Sequence, residues 1–121
     1  MTEDRRIRTL VVPTPTAAVV VLDRHLTIRS WNDGAYDLWG LRPDETLNHP
    51  FFTLEFGLPT RHLRTVVEEC VTTGRCGAPV TLDAVDRHGH RIGCAVLCSP
   101  FDVHPGGAVL LMTKTRGAST A

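Results

Sequence analysis

Residues 31–45 constrain the fold of this chain more than any other part of its sequence. They follow a valine-rich run that ends at Asp23 and an alternating run over residues 27–31, which predict two strands joined by a tight turn. Asn32 can accept a hydrogen bond from the first turn of a helix, and Gly40 suits the left-handed residue that ends one. The pattern therefore predicts a pair of strands followed at once by a short capped helix.

A second short helix and a longer one are predicted next. Pro43 suits the first turn of a helix, where the dipole also favours the acidic residues Asp44 and Glu45. Residues 58–74 predict the longest helix of the chain, and Gly74 ends it. The apolar residues of this helix repeat at i, i+3, i+4, i+7 and i+8 and form one stripe: Leu63, Val66, Val67, Cys70 and Val71.

Strand-like runs complete the chain and define the fold class. They cover residues 78–86, 91–99 and 107–115. Gly89 lies in the turn between the first two runs, where a positive φ is expected. Two strands, a helical middle and three further strands predict an α+β fold, with a five-stranded antiparallel sheet and a helical segment packed on one face. We expect this domain to span residues 17–115, with a lead-in over 1–16 and a flexible tail over 116–121.

The composition excludes several classes of protein. The chain has 13 Lys and Arg against 13 Asp and Glu, and without a basic excess to neutralise phosphates we expect no direct contact with nucleic acid. No apolar run approaches the ~20 residues that span a bilayer, and the N-terminus lacks the apolar stretch of a signal peptide. We therefore expect a cytoplasmic protein with no membrane insertion. The four cysteines are too dispersed for a disulfide scaffold, and we expect reduced, mostly buried thiols.

The order of elements, with WN opening the first helix, WGL closing it and PDE opening the next, resembles the PAS family of sensory and protein-interaction domains. The hairpin RHGHRI and the SPF at residues 99–101 match the same family, and the resemblance covers residues 17–115. In two turns the chain departs from the family: Asn48 replaces a frequent glycine, and His88-Gly89 replaces a frequent Asp-Gly. Asparagine tolerates left-handed geometry and the hairpin keeps its glycine, so both turns can form.

The resemblance implies a sensory role in bacterial signal transduction and no catalysis. It implies a homodimer, formed through residues 1–16 and the exposed sheet face, that regulates an effector such as a histidine kinase or a chemotaxis enzyme. It also implies a possible small-molecule ligand between the sheet and the helical segment. The residues that could line such a pocket, or could simply fill the core, are Trp39, Phe52, Val66, Leu82, Cys94 and Val109.

Cofactor binding has one candidate residue. Some PAS domains hold haem through a histidine on the long helix, and His62 is the candidate for a haem-based gas or redox sensor. At ~100° per residue, however, His62 lies about 110° from the centre of the apolar stripe, which predicts a boundary or solvent position. A flavin photosensor is not expected, because the region FFTLEF lacks the reactive cysteine and the chain has no glutamine.

The remaining polar groups suggest little chemistry. His88 and His90 flank a glycine and are expected to be a solvated turn, since no third metal ligand is evident. Cys94 and Cys98 lie about 13 Å apart on one strand, too far for a mutual disulfide. A small α+β ligand-binding protein or enzyme is the alternative class, and it would need convergent ionisable groups on the inner face of the sheet.

Overall fold

The computed structural model describes residues 17–75, 78–101 and 106–115, and it places the strands of these residues in one five-stranded antiparallel sheet. The strands are β1 (Ala18–Leu22), β2 (Ile28–Trp31), β3 (Val80–Val85), β4 (Arg91–Phe101) and β5 (Gly107–Thr115). Their order across the sheet is β2-β1-β5-β4-β3, so β1 and β5 are neighbours although they are far apart in the sequence. The predicted α+β class and the predicted sheet are confirmed. The predicted lead-in and tail, residues 1–16 and 116–121, lie outside the described residues.

The helical segment connects β2 to β3. It comprises α1 (Asp33–Trp39), α2 (Pro43–Thr46), two 3-10 turns (Phe51–Thr53 and Thr60–Leu63) and α3 (Arg64–Thr73). The predicted long helix over residues 58–74 is shorter than expected. Its first turn, Thr60–Leu63, is 3-10, with the His62 N–H donating to the Pro59 carbonyl oxygen, and α-helical geometry begins only at Arg64. None of the helices in the described part of the chain is long and apolar enough to cross a bilayer.

Asn32 joins the start of α1 to the sheet. Its Oδ1 accepts hydrogen bonds from the N–H of Ala35, at 2.9 Å, and from the N–H of Val19 in β1, also at 2.9 Å. Its Nδ2 donates to the Ala17 carbonyl oxygen. At the other end of α1, Gly40 adopts φ 84° and donates its N–H to the Tyr36 carbonyl oxygen. Both predicted ends of this helix are therefore confirmed.

The core lies between the sheet and the helical segment. Alternate residues of the three central strands are buried on the inner face: Ala18, Val20 and Leu22; Cys94, Val96 and Cys98; Ala108, Leu110 and Met112. α3 packs on β4 and β5 and buries Val67 and Cys70 of its predicted stripe. The expected burial of Cys70, Cys94 and Cys98 is confirmed, whereas Cys76 lies outside the described residues.

The other face of the sheet carries partly exposed apolar residues on the central strands. We call Val19, Val21, Leu97, Val109 and Leu111 the outer patch. The expectation that Val109 could line the pocket is wrong. Its neighbours Ala108 and Leu110 are both fully buried, and side chains alternate along a strand, so Val109 faces away from the core.

Asp86 holds the β3–β4 hairpin. It lies in the turn, where its side chain is only 4% exposed, and its Oδ1 accepts the N–H groups of His88 and His90, each at 2.9 Å. The N–H of the neighbouring Arg87 donates to the Leu38 carbonyl oxygen at 2.9 Å. The hairpin is therefore fastened to the last turn of α1.

The loop before α3 approaches the same hairpin at Gly57. The Gly57 carbonyl oxygen accepts the N–H of Val85 at 2.9 Å. A Cβ added to Gly57 would lie 1.6 Å from the Val85 carbonyl oxygen, so no larger residue fits without a backbone shift. This contact fixes the loop against the end of β3.

We predict that Gly57→Ala lowers the free energy of unfolding by about 3 kcal/mol or more, because the collision is with backbone atoms that cannot rotate away. Urea denaturation of the purified protein measures this change. Gly74→Ala is the control: Gly74 has φ +74° and a Cβ added there would meet nothing within 4 Å, so the expected loss is only about 1 kcal/mol. Equal losses in the two variants would contradict the predicted steric effect.

The Asp86 carboxylate also makes the stability of the fold depend on pH. The His90 N–H lowers the pKa of this carboxyl most, burial opposes the change, and the His88 N–H and Lys114 lower the pKa further. A carboxylate with a lowered pKa in the folded state stabilises the fold above its ordinary pKa of 3.8. That contribution is lost as the pH falls through the lower, folded-state value.

We predict that Asp86→Ala lowers Tm by several degrees at about pH 7, and by progressively less below about pH 4, because the lost interaction needs the ionised carboxylate. Thermal unfolding followed by circular dichroism over this pH range measures the effect. Asp83→Ala is the matched control, since Asp83 is an exposed carboxylate on the same hairpin. If the difference in Tm between the wild-type and Asp86→Ala proteins stayed constant down to acid pH, the ionised carboxylate would not be the source of the stabilisation.

Candidate functional site

Four aromatic residues meet under the loop that precedes α3. We call Trp31, Trp39, Phe51 and Phe56 the aromatic cluster. The Phe56 ring is its centre, with ring centroids 5.2 Å from Trp39, 6.0 Å from Trp31 and 6.1 Å from Phe51, all in edge-to-face arrangements. Trp31 ends β2, Trp39 ends α1, and Phe51 begins a 3-10 turn. The cluster therefore lies where the helical segment meets the edge of the sheet.

The two indole N–H groups of the cluster have different surroundings. Trp31 Nε1 donates to the Leu41 carbonyl oxygen at 2.8 Å. Trp39 Nε1 is buried and has no hydrogen-bond partner among the described residues, and the whole residue is only 5% exposed. An unsatisfied buried donor costs roughly 1–3 kcal/mol, so such groups are rare and call for a physical explanation.

An open cleft adjoins the cluster on its outer side. It has a volume of about 460 Å³ and is lined by residues 52–56 and 58–62. Phe56 belongs to both features: it lines the cleft, is partly exposed, and stacks edge-to-face on the buried Trp39 ring. Among the four residues of the aromatic cluster, Phe56 alone lines the cleft, and its ring contacts that of Trp39.

Five of the six predicted pocket residues belong to one hydrophobic core. Trp39 and Cys94 are buried in it, and Phe52, Val66 and Leu82 pack against it with partial exposure. Val109 lies on the opposite face of the sheet. Burial raises the pKa of the Cys94 thiol to about 11, so this cysteine stays protonated and unreactive at neutral pH.

His62 does not fit the role of a haem ligand. It is exposed, and it lies on the 3-10 turn Thr60–Leu63 and not on the α-helix expected to carry it. Its cleft is open and also lined by the charged residues Glu55 and Arg61. An axial histidine has to reach into an apolar cavity that encloses the porphyrin, and these residues do not form one. The expectation of a boundary or solvent position for His62 agrees with the structure.

The described residues offer few groups that could bind a metal ion. The His88 and His90 rings lie 6.1 Å apart in the exposed hairpin turn. No group of three or more potential metal-ligating side chains occurs within residues 17–75, 78–101 and 106–115. The Asp86 carboxylate is buried and accepts hydrogen bonds from the N–H groups of its own turn.

The sequence predicts Trp39 as an apolar residue that lines a pocket or fills the core, and it gives no sign that Phe56 belongs to the site. One signal is available in the sequence: tryptophan carries an N–H that needs a partner when it is buried, and the chain has only two tryptophans. Which of the two lacks a partner depends on the tertiary structure, because the acceptor for Trp31 is a carbonyl ten residues further along the chain.

Several solved structures resemble the fold of this chain over most of its length. The PAS domain of a protein from Colwellia psychrerythraea is 20% identical, with a TM-score of 0.65 over 92% of this chain and 98% of that one. The PAS domain of the quorum-sensing receptor RpfR from Cronobacter turicensis, in complex with C12:0, is 25% identical, with a TM-score of 0.61 over 81% of this chain and 92% of that one. The PAS domain of the histidine kinase ThkA is 19% identical, with a TM-score of 0.55 over 80% of this chain and 98% of that one.

No family model and no curated protein matches the sequence. The structural matches nevertheless cover 80–92% of this chain with TM-scores of 0.55–0.65. The resemblance seen in the sequence is therefore confirmed: this chain is a domain with the PAS fold.

Proposed function

We propose that this chain is the sensory or regulatory domain of a bacterial signalling protein, acts as a homodimer and changes the state of an effector when a small molecule binds. The observation that carries the proposal is the PAS fold of residues 17–75, 78–101 and 106–115. Matched PAS domains include that of a histidine kinase and that of a quorum-sensing receptor bound to C12:0. We propose a cytoplasmic histidine kinase or chemotaxis enzyme as the effector.

A non-enzymatic role agrees with the chemistry of the interior. The buried polar or charged residues of the described part of the chain are Thr46, Thr60 and Asp86. The Thr46 hydroxyl donates to the Pro43 carbonyl oxygen, and Asp86 accepts hydrogen bonds from its own turn. The Thr46 hydroxyl and the Asp86 carboxylate are thus both engaged in local hydrogen bonds that hold their own turns.

The outer patch supports dimerisation. In the register of the sheet, Leu111 is paired with Val19 on one side and with Leu97 on the other, and Val109 is paired with Val21. The patch is therefore a continuous apolar surface across three adjacent strands. Apolar surfaces of this kind favour burial against another protein surface. We propose that a second copy of this chain covers it.

We predict that Leu111→Glu raises the dissociation constant of the dimer at least about tenfold, because it puts two unpaired carboxylates into an apolar interface. Sedimentation velocity over a range of protein concentrations measures the monomer–dimer balance. Val85→Glu is the matched control, since Val85 is 40% exposed on the edge strand β3 and lies outside the patch. A monomeric wild-type protein, or equal weakening by both variants, would overturn the proposed interface.

We also predict that deleting residues 1–16 lowers the dimer fraction, as the resemblance to PAS domains implies. The same sedimentation experiment tests this, and circular dichroism of the shortened chain checks that residues 17–115 remain folded. An unchanged monomer–dimer balance would show that the dimer depends on the sheet alone.

A further inference from the structure

We propose that Trp39 Nε1 is the hydrogen-bond donor for a small uncharged ligand, which carries a carbonyl-type acceptor on an apolar body and takes the place of the Phe56 ring in the aromatic cluster. This inference rests on the proposed sensory function and names the chemistry of the molecule that is sensed. Three observations carry it: the unpaired donor, the position of Phe56 and the absence of a buried cation among the described residues.

The unpaired donor sets the acceptor requirement. Trp39 Nε1 is buried without a partner among the described residues, while the second indole N–H of the same cluster donates to Leu41 at 2.8 Å. A ligand that brings an acceptor to Trp39 removes the cost of the unsatisfied N–H and gains a hydrogen bond in an apolar environment. A ligand of the same shape without an acceptor gains only the free energy of burying its apolar surface.

The position of Phe56 explains how a ligand reaches this donor. Trp39 is 5% exposed and Phe51 is fully buried, whereas Phe56 is partly exposed and lines the open cleft. Rotation of the Phe56 side chain into the cleft leaves a space of about one aromatic ring beside Trp39, Trp31 and Phe51. A flat apolar ligand of that size can restore the edge-to-face contacts that Phe56 gives up.

The charges of the site decide between neutral and anionic ligands. Asp86 is the one charged residue that is buried among those described, and it is negative. A carboxylate brought to Trp39 would lose its hydration without gaining a cation, which is strongly unfavourable. Arg61 and His62 are exposed at the outer side of the cleft, so they do not offset that cost beside Trp39. The site therefore favours a ketone, an amide or another neutral acceptor.

Three small probes of similar shape separate these requirements. Acetophenone carries a neutral carbonyl on a phenyl ring, ethylbenzene has the same ring without an acceptor, and benzoate carries an anionic acceptor. In protein labelled with ¹⁵N, the two tryptophans give two indole N–H signals, which a Trp39→Phe variant assigns. The Trp31 signal is an internal reference, because its donor is already paired.

We expect acetophenone to move the Trp39 indole proton downfield in a saturable way and to bind about three to ten times more tightly than ethylbenzene. Benzoate should not reach saturation. In Trp39→Phe, acetophenone and ethylbenzene should bind equally. In Phe56→Ala, which opens the site permanently, acetophenone should bind more tightly than in the wild-type protein and keep its preference over ethylbenzene.

Three results would overturn the proposal. One is a Trp39 signal that does not respond to acetophenone in either the wild-type or the Phe56→Ala protein. Another is a nuclear Overhauser effect between a bound water and the Trp39 indole proton that saturating acetophenone does not change. In that case water would already satisfy the donor. The third is an acetophenone preference that survives in Trp39→Phe. The titration and the sedimentation experiment have separate readouts. If acetophenone fails to bind as predicted while Leu111→Glu weakens the dimer as predicted, the proposed ligand chemistry is wrong and the proposed regulatory function stands.

Discussion

The side chain of Asn32 fixes the relation between the helical segment and the sheet. Its amide group accepts the Ala35 N–H at the start of α1 and also bonds to the backbone on both sides of Ala18, at Val19 in β1 and at Ala17. A helix cap normally acts within its own helix. Here it also sets where α1 starts relative to the central strands, and hence where the last residue of α1, Trp39, comes to lie.

The opposite end of α1 is fixed as well. The Arg87 N–H donates to Leu38, the Arg87 guanidinium lies 4.8 Å from the centre of the Tyr36 ring, and a Cβ on Gly40 would come within 3.1 Å of the Arg87 Cβ. Asp86 holds the turn that provides these contacts. These contacts hold α1 at its second end as Asn32 does at its first. They fix the backbone of Trp39 through groups other than its indole N–H, which has no partner among the described residues.

The sequence predicts those parts of the fold that depend on local patterns. Asn32 marks the start of a helix through its side-chain cap, Gly40 and Gly74 mark helix ends through left-handed backbone geometry, and alternation over residues 27–31 marks a strand. The placement of Val109 was wrong because a strand has two apolar faces here, and alternation alone does not say which one meets the helices. The missing acceptor for Trp39 escapes prediction for a related reason, since hydrogen bonding of a buried indole N–H depends on contacts between segments distant in sequence.

The proposed ligand site and the proposed dimer surface share one strand. β1 buries Ala18, Val20 and Leu22 toward the core and presents Val19 and Val21 to the outer patch, and Asn32 connects it to the helix that carries Trp39. A ligand that changes the position of α1 therefore acts on the backbone of β1 directly, through the hydrogen bonds to Val19 and Ala17. Coupling of this kind is reciprocal: if ligand binding changes the affinity of the dimer, dimerisation must change the affinity for the ligand by the same factor. A ligand that binds with equal affinity to monomer and dimer would occupy the site without altering the dimer, and the signal would then have to leave the domain by a route that does not include the outer patch.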